Sequence, residues 1–81
     1  MKTDEISRAV DVALASVFNI STTEVPHDMS HETYEKWDSA AYLMVIFTVE
    51  EQFDVQFSTE EVERAMGRQE LISELSTRLS S

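Results

Sequence analysis

The residues best suited to chemistry are Ser39 and its neighbour Asp38, at the head of the apolar run Ala40 to Val49. A serine at a helix start sits where first-turn amides point outward and the helix dipole is positive. That setting favours a phosphate ester on the serine oxygen. Nucleophilic catalysis would instead need an activating base and an oxyanion hole. The only histidines, His27 and His31, fall in the preceding connection, and no Gly-x-Ser-x-Gly elbow surrounds the serine. A small hydrolase therefore has no support, and no catalytic residue is assigned. On the residues alone, a structural serine of the first turn is the commoner case.

Two other groups of polar residues carry less. His27-Asp28 and His31-Glu32 would have ligand-like spacing on a helix, but this segment does not read as helical. Asp54 with Glu60, Glu61 and Glu63 lacks the spacing of a calcium loop. Solvated side chains are the expectation for both, and no metal site is assigned.

The elements that position Ser39 follow from periodicity. The single Gly and single Pro among 81 residues permit long helices and signal no tight hairpins. Ile6, Val10, Ala13, Leu14 and Val17 recur at helical spacing and predict a first helix over 4–18, with Thr3 as its cap and Asp11 and Arg8 off the stripe. Residues 19–38 form a long connection, which Val25 and either Met29 or Tyr34 should pin to the core. A second helix over 39–53 starts with Asp38 as cap, accepting from the amide of Ala40 or Ala41. Trp37 and Tyr42 flank that cap as a hydrophobic staple. Ser58-Thr59-Glu60-Glu61 is a capping box, with Phe57 and Val62 as a second staple. It opens a short helix over 59–65 that Gly67 ends as a left-handed cap. A final helix over 69–79 carries Leu71, Ile72, Leu75 and Leu79 on one face. The expected fold is all-α: one domain over 1–81, a four-helix bundle with a long first loop and a short third helix.

The second helix is apolar twice over. With Ser39 at zero, Tyr42, Val45, Ile46, Val49 and Phe53 fall between about 240° and 340° and make a full core stripe. Ala40, Leu43, Met44 and Phe47 fall between about 40° and 140°, beside Glu50 and Glu51. One helix of a small bundle cannot bury both faces, so either the long connection covers the second or a partner does.

Composition narrows the partners. Sixteen acids against six Lys and Arg give a net charge of −10, which opposes nucleic acid and anionic membranes and suits basic docking patches. No cysteine is available for disulfides or thiolate sites. The run Ala40 to Val49, broken by Thr48, is too short to span a bilayer, and no secretory signal pattern opens the chain. A cytoplasmic monomer is the expectation.

The wording Trp37-Asp38-Ser39-x-x-x-Leu43, then Val49-Glu50-Glu51-x-Phe53-Asp54-Val55-x-Phe57-Ser58-x-Glu60-Glu61-Val62, resembles the acyl carrier proteins along nearly the whole chain. Asp-Ser alone is weak; the ordered set is far more specific. The resemblance implies an acyl-carrier bundle whose Ser39 carries 4'-phosphopantetheine, transferred covalently from coenzyme A by a phosphopantetheinyl transferase. The arm would hold acyl or aminoacyl groups as thioesters for loading and processing enzymes with basic or mixed basic-apolar patches. Asp38 would position the turn and meet the modifying enzyme. Ala40, Leu43, Met44, Phe47, Glu50, Glu51, Glu60, Glu61 and Glu63 would form the docking surface, and Val45, Val49 and Val62 are candidate walls of an acyl crevice. Two departures stand out: Ala40 replaces the family's usual leucine, and Ala41 and Met44 replace acids common in the first half of the helix. The Trp-Asp-Ser form is closer to free-standing carriers of specialised biosynthesis than to the fatty-acid carrier. The alternative function is an acidic interaction module with no prosthetic group.

Overall fold

The computed structural model describes residues 2–79. Four helices, α1 (Thr3–Phe18), α2 (Ser39–Phe53), α3 (Thr59–Arg64) and α4 (Arg68–Leu79), are joined by a long first connection containing a 3-10 turn, Thr22–Glu24. Among the described residues the one β-bridge joins Ser30 to Gly67 in antiparallel sense. The all-α class and the four-helix count expected from periodicity are thus present.

α1 packs against both α2 and α4. Ile6, Val10, Ala13 and Leu14 supply its buried stripe, Val45, Ile46 and Val49 that of α2, and Leu71 and Leu75 that of α4. Ile72 and Leu79 pack at the margin. α1 begins one residue earlier than expected. Lys2 is its extended cap, without a side-chain bond, because Thr3 is already helical and cannot serve as cap. The helix ends at Asn19, whose φ of 56° closes the last turn as its backbone N–H donates a hydrogen bond to the Ala15 carbonyl. α2 ends in the same way at Asp54, with φ 54°.

Gly67 does not cap α3 in the left-handed region. α3 stops at Ala65, with φ −94°, and no glycine has positive φ. The glycine is there for proximity. A Cβ at Gly67 would lie 3.0 Å from the Ser30 Cβ and 3.2 Å from the Met29 carbonyl oxygen. The close approach lets Arg68 N–H donate to Met29 O at 2.8 Å and His31 N–H to Met66 O at 2.9 Å. The Gly67 carbonyl then accepts from Leu71 in the first turn of α4.

This clasp holds the long connection. Met29 is fully buried, as is Trp37 at its far end, while Ile20, Val25 and Tyr34 pack at the core's edge. Of the expected pins, Met29 goes deepest. Trp37 is more than a staple: its ring lies 5.7 Å from Phe18 and 6.5 Å from Tyr42, inside the core.

One buried charge underlies the α1–α4 contact. Arg68, 8% exposed, donates from Nε and Nη2 to the two oxygens of Asp11 at 2.6 and 3.2 Å, and from Nη1 to the His27 carbonyl at 3.2 Å. A buried guanidinium is tolerable only when its donors are satisfied in this way.

Candidate functional site

Ser39 is the first residue of α2 and is exposed. Asp38, extended at φ −91° and ψ −173°, caps the helix: its Oδ1 accepts the Ala41 amide at 2.9 Å, the second of the two alternatives expected from sequence. Its carbonyl takes the Tyr42 amide at 2.9 Å. The amides of Ser39 and Ala40 remain as first-turn donors with no intrahelical acceptor. The serine hydroxyl makes no hydrogen bond among the described residues. A phosphodiester on this oxygen would project into solvent next to two amide donors and the positive end of a full-length helix. The residues present therefore fit the group that the resemblance implies.

The start of α2 is held from beneath. Trp37 is buried, and its carbonyl bonds His31 Nδ1 at 2.7 Å. The other histidine, His27, lies against Arg68, with Nδ1 3.3 Å from Nη1. The two rings are committed to different parts of the frame. Among the described residues no group of three His, Cys, Asp or Glu is placed to hold a metal ion.

No protein-family model and no curated protein matches this chain.

The outer face of α2 is open. Leu43, Met44 and Phe47 are 53%, 55% and 63% exposed, and Ala40 is exposed beside them. Of the two ways to cover this face, the connection is not the one used: the Met29–Gly67 clasp draws it to the α3–α4 junction instead. Glu51 stands free at the rim, and Glu60 and Glu63 are exposed on α3.

Two of the acids grouped with them have internal duties. Glu50 accepts the Phe57 amide at 2.8 Å and so fixes the link between α2 and α3. Glu61 closes the α3 capping box, accepting from the Ser58 amide at 3.0 Å, and pairs with Arg78. The Ser58 amide bond, and then the Arg78 guanidinium, hold its carboxyl down to about 2. Arg78 also stacks 5.2 Å above the Phe57 ring.

The supposed crevice walls divide. Val45 and Val49 have no exposure and are core, while Val62 packs at the margin. Sequence reasoning missed the Arg68–Asp11 pair, whose 57-residue separation leaves no local signal. It also missed the exposure of Val12 and Met66, at 51% and 40%.

Proposed function

We propose that the chain is an acyl carrier: Ser39 bears 4'-phosphopantetheine, and α2 with α3 presents the loaded arm to partner enzymes. The observation that carries this reading is the division of labour at the start of α2. Asp38 does the capping, and the serine beside it is exposed and unengaged. The residue order shared with acyl carrier proteins adds support, as does an all-α bundle with the expected long first connection and short third helix. When bound, the arm supplies a terminal thiol on which acyl groups ride as thioesters. The chain's own residues attach it, orient its root through the first-turn amides, and offer a docking face. No residue is given a catalytic role.

The cargo belongs to specialised biosynthesis in this reading. Leu43, Met44 and Phe47 take the place of an acidic docking face, with Glu51, Glu60 and Glu63 as its charged rim. The matching partner surface is an apolar socket bordered by Lys and Arg. Met44→Ala and Phe47→Ala should weaken partner binding at least as much as charge reversal at Glu51. If only the charge change matters, the apolar docking idea fails.

Intact mass after incubation with a broad-specificity transferase, Mg2+ and coenzyme A tests attachment. The wild type should gain one phosphopantetheine and Ser39→Ala none. The same exposed face of α2 also favours a second reading, an interaction module without a prosthetic group. Absence of any addition, in this assay and in protein from the native host, would select it.

A further inference from the structure

The apolar face of α2 continues past the helix edge onto α1. Leu43, Phe47 and Met44 follow one another from about 40° to 140° around the helix axis, and Thr48 comes next at about 180°. Thr48 lines an open groove of about 410 Å³ between α1 and α2, with Val12, Ala13 and Ser16 on one side and Glu51 and Gln52 on its own. Val12 is 51% exposed, although α1 otherwise buries its apolar residues. The Thr48 hydroxyl already donates to the Met44 carbonyl at 2.7 Å, so it asks nothing of an occupant. Toward α3 the same face is closed: Glu50 is held by the Phe57 amide, and Glu61 by the Ser58 amide and Arg78. Of the large apolar side chains exposed among the described residues, only Met66 lies away from the α1–α2 side.

Charge says what covers this face. From Asp38 to Glu63 the chain holds seven Asp and Glu and no Lys, Arg or His. A second copy would bring the same acids and be repelled, whereas a basic partner is drawn in. Shape says in what form. The groove pairs Val12 with Thr48, while Phe18 at the end of α1 meets Trp37 before the start of α2, so the two helices run antiparallel. A groove between such helices runs along both, and a third helix seats in it as ridge into groove. No strand among the described residues offers an edge to an extended peptide. Leu43, Met44, Phe47 and Thr48 recur at the three- and four-residue spacing that an amphipathic helix matches. Arg8, the only basic residue of α1, is exposed one turn before Val12. It turns the cations of an incoming helix toward α2 and Glu51.

We propose that the α1–α2 groove and the open face of α2 together seat one amphipathic helix of a partner protein. Its apolar side chains enter the groove beside Val12, and its Lys or Arg residues lie along Glu51. This goes beyond the carrier reading and does not depend on it, since the seat needs no modification of Ser39.

The probe is a synthetic amphipathic helix with Leu and Phe on one face and Lys on its flanks, titrated into protein labelled with nitrogen-15. Amide shifts should concentrate at Val12, Ser16, Thr48 and Gln52. Val12→Glu separates groove from charge: it adds an acid, so a purely electrostatic contact would tighten, whereas a filled groove should bind about tenfold more weakly. Val12→Ala should weaken binding in the same direction, and serves if the glutamate lowers the thermal midpoint. Glu51→Lys should also weaken it, and Met66→Ser should change nothing. Unchanged or tighter binding by both Val12 variants overturns the seat. So does equal binding of a peptide with the same residues scrambled off one face, or of one with Glu in place of Lys. Shifts centred on Glu60 and Glu63, or no saturable binding, overturn it as well. A dimer in sedimentation would give the face to a second copy instead. The intact-mass assay at Ser39 is indifferent to each of these results, so the carrier reading stands or falls separately.

Discussion

α2 and α3 begin in nearly the same way and use their serines in opposite ways. Each start has an aromatic residue, a polar cap and a hydroxyl: Trp37-Asp38-Ser39 and Phe57-Ser58-Thr59. At α3 the serine is the cap. Its Oγ accepts the Glu61 amide at 3.2 Å, and Glu61 returns a bond to the Ser58 amide. At α2 an aspartate caps, and the serine stands one place later with its hydroxyl open. Giving the cap to a carboxylate frees the hydroxyl without giving up the helix start. The aromatic residues differ too: Trp37 is core, whereas Phe57 is half-buried under Arg78.

The largest expected contrast lies in those aromatics. Trp37→Ala should cost about 3–5 kcal/mol, as for other large core truncations. Phe57→Ala should cost about 1–2 kcal/mol. Chemical denaturation measures both, and equal costs would erase the difference in depth.

The caps come next. Ser58→Ala should lower stability by about 1 kcal/mol, and Asp38→Ala by a similar amount. Ser39→Ala should stay within about 0.5 kcal/mol of wild type while removing the oxygen proposed as the attachment point. A Ser39→Ala loss as large as that of Ser58→Ala would show the two serines to be equivalent after all.

Acid should then act at α3. Glu61 is lowered from the ordinary 4.5 to about 2, chiefly by the Ser58 amide and next by Arg78. A depressed carboxyl contributes stability that is complete above about 4.5 and is lost as pH falls from there through about 2. Thermal midpoints across that window should fall more steeply for wild type than for Glu61→Gln. Parallel curves would remove Glu61 as the cause.

The smallest effect belongs to the outer face of α2. Phe47→Ser should leave the melting temperature almost unchanged, since the side chain is 63% exposed. A marked loss would mean that Phe47 supports the fold despite its open position on α2.

What was legible in the sequence was local. The bounds of α2, the Asp38 cap and the Ser58–Glu61 box all follow from residues three or four apart, where side-chain preference and backbone geometry act together. The two apolar faces of α2 were legible for the same reason. What escaped depends on distant partners. Gly67 follows α3 as a left-handed cap would, yet its role is set by Ser30 and Met29 across the molecule. Arg68 and Asp11 look like ordinary surface charges until α1 and α4 are packed together. Glu50 and Glu61 belong to the acidic rim by composition, and only the fold shows them turned to backbone amides. That the Trp37 indole N–H and the Tyr42 hydroxyl are buried without hydrogen-bond partners was invisible for a related reason, since a staple predicts ring contact but not whether its polar atoms find partners.

The Met29–Gly67 clasp has a consequence for chain entropy. Residues 19–38 would close as one long loop if only their ends were fixed. With Met29 buried and Ser30 bridged to Gly67, and with Trp37 seated in the core, the segment closes as successive short spans. Each span has little freedom left to lose, and lengthening one of them leaves the others unaffected. Insertions between Ile20 and Pro26 should therefore be borne more easily than insertions between His31 and Trp37. In the latter span every added residue works against the position of the helix start itself.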